Sequence, residues 1–132
     1  MNLKNSIGII VLIGIVIALA FIAKPHQPDA VAGVAVVTYT NDGFSPESVT
    51  IKKGEVVRFV NESSRPFWPA SDPHPIHTLY PEKAASDCLG STFDACKPIP
   101  SGESWEFTFN KIGEWSYHNH LSAGDIGFVV VR

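Results

Sequence analysis

The chain contains five histidines, and four of them fall in two short clusters. His74 and His77 lie in the run Asp72, Pro73, His74, Pro75, Ile76, His77. His118 and His120 lie in the run Tyr117, His118, Asn119, His120, Leu121. Histidine is the commonest side-chain metal ligand. Two close pairs of nitrogen donors are what a tetragonal site for a metal such as copper requires. The favoured reading places three or all four rings around one ion. The alternatives are one ligating pair supported by the other, and four surface histidines with no shared role. His26 stands alone in a linker and is read as solvated.

An imidazole-only donor set suits copper(II), zinc, nickel or iron(II). The affinity order of the divalent metals favours copper(II), so copper(II) is the expected cofactor, with zinc as the alternative. Soft donors are missing from both clusters, and the only methionine is Met1. Neutral imidazole is the binding form, so affinity should fall as pH drops through the histidine range. Glu82, five residues past His77, offers a carboxylate that would support a ring or ligate weakly, although a solvated surface place is the expected one. Asp72 and Asp125 are read as solvated in the same way.

Strands must position these rings. In a strand, residues i and i+2 share a face, so His118 and His120 would project together, with Tyr117 and Asn119 opposite. Residues 34–39 are rich in β-branched side chains, and Asn41, Asp42 and Gly43 form a turn signal. A second strand is expected by Ile51 and a third over 56–60. Residues 105–109 alternate aromatic and polar, as a half-buried strand does. Residues 114–118 and 127–131 complete the set. Short strands separated by turn signals predict an all-β sandwich. Between the third strand and Trp105 lies a long stretch with His74, His77 and both cysteines. Prolines 73 and 75 restrict the backbone around His74. A loop this long in a small domain is functional or disordered, and its aromatic content argues for order.

Cys88 and Cys96 are the only cysteines. An even count in an exported domain reads as a disulfide, and a loop this small gains about 2–3 kcal/mol from the bridge on the chain-entropy model. Two thiolate ligands are the rival reading, although the spacing does not match a Cys-x-x-Cys site. Export is expected from the uncharged apolar run over 7–23, which Lys4 and Lys24 flank. It is short for a spanning helix and long for a signal core. An uncleaved anchor is favoured and a cleaved signal is the alternative. Both place the rest of the chain on the extracytoplasmic side of the membrane, periplasmic or extracellular. The expected organisation is an N-terminal transmembrane or signal helix over 1–24, a linker over 25–35 and the sandwich domain over 36–132. With 10 Lys+Arg against 13 Asp+Glu and a net charge of −3, no basic stripe supports nucleic-acid binding.

Two stretches resemble the cupredoxins. The first runs from Phe44, Ser45 and Pro46 through Gly54 to Phe59 and Asn61. The second runs from Pro100 and Gly102 through Trp105 and Phe107, then Gly113 to His120, and on to Gly124 and Val131. The pattern is similar to small exported cupredoxin-like domains of the periplasmic iron-uptake type. The resemblance implies a Greek-key β-sandwich with a metal site at one end of the sheets. Asn119 falls near the place of the blue-copper cysteine, and no methionine precedes Gly127. The run from Tyr117 to His120 instead looks like the Tyr-His-Ser-His of multicopper oxidases, in which alternate histidines bind copper. A blue centre is therefore not expected.

The function expected is a membrane-anchored, extracytoplasmic copper-binding protein with a histidine-only, non-blue site. Its role would be copper handling or electron transfer with a redox or copper-delivery partner protein. One alternative is a small copper enzyme acting on oxygen species or nitrite, with Tyr117, Tyr80 or Trp115 as redox-active neighbours. The other is a metal-free interaction module.

Overall fold

A computed structural model describes residues 33–132. The apolar run over 7–23, and with it the expected anchor or signal helix, lies outside the described residues. Among the described residues no helix is long and apolar enough to cross a membrane.

Among the described residues, eight strands form two four-stranded sheets. The first sheet has the order β2 (Gly43–Ser45), β1 (Val34–Thr40), β4 (Val56–Asn61), β6 (Ser104–Thr108). The second has the order β3 (Ser48–Ile51), β8 (Ser122–Val131), β7 (Gly113–Asn119), β5 (Pro69–Ser71). The single strand expected to lead up to Ile51 is two. The chain leaves the first sheet after Ser45, passes Pro46, and enters the second at Ser48. Proline has no N–H to give to a ladder, so the pairing breaks there. Strands β1 and β4 are parallel, as are β3 and β8, while the other pairings are antiparallel.

Alternation decides which residues meet between the sheets. In β4, Val57 and Phe59 are buried while Arg58 faces solvent and pairs with Glu106 across the β4–β6 ladder. The core is aromatic. Tyr39, Phe59, Phe109 and Tyr117 come from or just beside the strands, and Phe67, Tyr80 and Phe93 from the long connection between β4 and β6. All seven are fully buried. Burying each such ring contributes roughly 1.5–3 kcal/mol or more, which is enough to order the proline-rich connection.

That connection also contains β5, which sequence periodicity did not reveal. Three residues beginning with proline are too few to show a period. β5 is flanked on both sides. Ala70 pairs with His118 of β7 and bridges to Asp94 on its other edge. Ser71 N–H donates to Phe93 O (2.8 Å), and Ala95 N–H donates to Pro69 O (3.0 Å). The edge of the second sheet therefore draws the connection's two halves and the end of β7 together.

Candidate metal centre

His118 is the penultimate residue of β7, opposite Ile126, and the register shifts between His118 and Asn119. His120 sits just past the strand. Its N–H donates to Trp68 O (2.7 Å), which holds it beside the start of β5. Immediately after β5, Leu79 N–H donates to Asp72 O (2.7 Å), and the N–H groups of Ile76 and His77 both donate to Pro73 O. This closed turn bends His77 into the left-handed region, at φ 52°, and carries His74 on its outer side.

The four imidazoles meet. One ring nitrogen from each of His74, His77, His118 and His120 lies within 4.8 Å of all the others. His77 Nε2 is 2.9 Å from His120 Nδ1, and His118 Nε2 is 3.3 Å from His74 Nδ1. Three rings are sheltered and His74 is exposed at the mouth. The two sequence clusters, 41 residues apart at their nearest members by number (77 to 118), thus share one locus.

Two carboxylates fix the rings. His118 Nδ1–H donates to Asp72 Oδ1 (2.7 Å), and His77 Nδ1–H donates to Asp94 Oδ2 (2.6 Å). A carboxylate only accepts, so both rings carry hydrogen on Nδ1 and turn a lone pair on Nε2 inward. His74 and His120 have no such partner and present Nδ1. The Trp68 indole lies over His120, with ring centroids 4.5 Å apart, and its N–H donates to Asp94 Oδ1 (2.6 Å).

Asp72, read from sequence as solvated, is thus a support for His118. Asp125 is held by the Tyr39 hydroxyl (2.6 Å) and by Arg65 (3.2 Å). Glu82 accepts from Tyr80 OH at 3.4 Å and touches no imidazole. Asp94 and Trp68 were not singled out from sequence. Asp94 had no spacing signal, because its partner is 17 residues away and reached only through β5. The aromatic neighbours expected at the metal lie elsewhere. Tyr117 packs against Phe44, Phe59 and Phe93, Tyr80 against Phe107, Phe109 and Trp115, and Trp115 donates to Lys111 O. Burial, with a smaller contribution from Glu47, holds the Tyr117 phenol far above its usual range.

Electrostatics favour the neutral form of His118 and His120. Burial lowers the pKa of His118 and outweighs its bond to Asp72, while the neighbouring His77 and His74 push the same way. His120 is lowered by burial first, then by His77 and His74. Four imidazole nitrogen donors, two of them oriented by a carboxylate, fit a borderline divalent ion such as copper(II) or zinc. Cys88 and Cys96 are joined in a disulfide, so no thiolate is on offer.

No protein-family model matches the chain. Solved structures match it in fold. A purple cupredoxin from Nitrosopumilus maritimus is 20% identical with a TM-score of 0.60, the match covering 74% of this chain and 99% of that one. Amicyanin from Paracoccus versutus is 23% identical with a TM-score of 0.57, covering 79% of this chain and 86% of that one. A reduced Cu(I) form of an amicyanin variant is 15% identical with a TM-score of 0.59 over 79% of this chain and 87% of that one. The described residues therefore have the cupredoxin fold, a two-sheet all-β sandwich. Within that fold this chain carries a four-histidine cluster and lacks the cysteine and methionine of a blue-copper set.

Proposed function

We propose that this is a copper-binding cupredoxin-like protein with a histidine-only, non-blue site. It is held on the extracytoplasmic face of a membrane by its N-terminal apolar segment. The convergence of four ring nitrogens within 4.8 Å carries the reading. The neighbours of the same fold add to it, one of them described as a Cu(I) form. His77 and His118 would hold copper through Nε2, and His74 and His120 through Nδ1. Bound copper would supply a redox-active cation with no sulfur donor.

Copper handling is preferred over electron carriage. A blue site combines a thiolate with a constrained geometry, and this chain offers only imidazoles. His74, exposed at the mouth, is the ring an incoming acceptor would meet first, and Ile76 and Leu121 beside the ligands are also exposed. The partner would then be a copper-accepting or copper-donating protein.

Titration of the purified protein with copper(II), alongside the variant H118A/H120A, tests the proposal. Binding of one copper per chain in the parent protein and its loss in the double variant are expected. Unchanged affinity in the variant removes the reading. Rapid, reversible electron self-exchange of the loaded protein would place electron carriage above copper delivery.

A further inference from the structure

The Cys88–Cys96 disulfide closes a loop whose ends are eight residues apart, and that loop touches His77 in two independent ways. The first is Asp94. Its buried carboxylate accepts from His77 Nδ1 (2.6 Å), from the Trp68 indole N–H (2.6 Å) and from the Cys96 backbone N–H (2.8 Å). The second is Gly90. A Cβ at that position would collide with the carbonyl of Ile76 and the carbonyl carbon of His77, so the loop backbone lies flush against the turn that presents His77.

Backbone conformation marks the same connection. Among the described residues, His77 (φ 52°) and Cys96 (φ 59°) are the two non-glycine residues in the left-handed region. The Asp94 carboxylate is bonded to both. Conformations of this kind persist only where the surroundings over-determine them. Here one carboxylate and one disulfide ring do so together. The bridge itself faces outward, since both Cys88 and Cys96 are exposed. His118 is outside this circuit, because Asp72 holds it from the other side.

We infer that Cys88–Cys96 is a thiol–disulfide exchange site for a dithiol reductant, and that opening it loosens Asp94 and His77 and weakens the metal centre. The functional meaning rests on the copper reading, although the coupling itself does not need a metal. A thiolate of the dithiol attacks one bridge sulfur. The Cys88–Cys96 bond breaks as a mixed disulfide forms, and the released cysteine thiolate takes a proton. The second thiol of the reductant then displaces the other cysteine. In sum, the reductant's two thiols become one disulfide, two electrons pass to the protein, and Cys88 and Cys96 end as thiols. Copper held in the oxidised form would be given up on reduction.

The test begins with the full-length, metal-free protein in detergent. Dithiothreitol is added, and the histidine ring nitrogens are followed by long-range 1H–15N NMR. Opening of the bridge with a change in the His77 tautomer signals, and none in those of His118, is the expected result. Three results overturn the inference: a bridge that resists dithiothreitol, His77 signals unchanged after reduction, or collapse of the whole spectrum, which would make the bridge a general staple of the fold. In the second arm, C88S/C96S is compared with the oxidised parent for copper(II) affinity, and a loss of about 10–100-fold is expected, the range typical of losing a ligand's support. Equal affinity overturns the coupling. Absence of copper binding in the oxidised parent removes the copper reading instead, and leaves the metal-free NMR result to judge the coupling.

Discussion

Asp72 Oδ1 accepts a hydrogen bond from His118 Nδ1 at 2.7 Å, and so decides which nitrogen of that ring faces the other three imidazoles. The carboxylate follows β5 directly, and β5 is paired to β7 through Ala70 and His118. Support and ligand therefore arrive together, by the same ladder.

Replacing Asp72 should show the value of that arrangement. Asp72→Ala removes the acceptor and frees the ring to change tautomer, and copper(II) affinity should fall about 10–100-fold. Asp72→Asn keeps an amide oxygen, a weaker acceptor, and should fall between the variant and the parent. Competition against a chelator of known affinity measures both, and an Asp72→Ala protein that binds as tightly as the parent would count against the tautomer argument.

The two residues of the loop pair should differ in their effect on the metal-free fold. His77→Ala strips one donor from the buried Asp94 carboxylate and should destabilise by about 1–3 kcal/mol from that loss alone. His74 is exposed and has no carboxylate partner, so His74→Ala should lie within about 0.5 kcal/mol of the parent. Urea unfolding of the metal-free proteins compares them. Equal destabilisation by the two substitutions would contradict the burial and bonding assigned to His77.

A dependence on pH follows from the depressed pKa values of His118 and His120. Between the folded values and the ordinary imidazole value of about 6.5, the unfolded chain binds more protons than the folded one. The contribution to stability is therefore whole above about pH 6.5 and is lost as pH falls through the folded values. Copper(II) binding should hold to lower pH than ordinary histidines would allow, and then decline as protons displace the ion. Denaturation midpoints and copper affinity across a pH series follow both, and a loss of affinity that begins well above the ordinary histidine range would refute the shift.

Asn119 occupies the sequence position nearest to a blue-copper cysteine, yet its side chain is committed elsewhere. Its amide N–H donates to Tyr39 OH (2.8 Å), and its oxygen accepts from Trp68 N (2.9 Å) and Leu121 N (3.1 Å). Asn119→Cys should thus give no intense visible thiolate band when loaded with copper(II), because the side chain points away from the imidazoles. Asn119→Ala should destabilise by about 2 kcal/mol, since it removes three hydrogen bonds of a buried amide and strips the Trp68 N–H of its acceptor. Visible absorption and thermal unfolding check the pair, and a blue Asn119→Cys protein would show that the side chain reaches the metal.

Much of this molecule is written locally. Period-two alternation in β4 and β6 marks their inward faces, because side chains on a strand point alternately to the two sides whatever the strand later packs against. The two histidine clusters declare a donor set by residue type. The lone pair of cysteines has only each other to join, and the structure joins them. What the chain could not state along its length is which distant groups become neighbours. β5 is too short and too rich in proline to carry a period, yet its two edges bring Asp94 and His118 to either side of Ala70. The choice of ring nitrogen at His77 and His118, the placing of Trp68 over His120, and the departure of Tyr117 and Tyr80 into the core, with Trp115 packed against it, all depend on contacts of this kind. Composition and spacing fix chemical capacity and strand faces, which are local properties. Tautomer, burial and convergence arise from contacts between segments far apart in the chain, and those exist only once the two sheets have closed on each other.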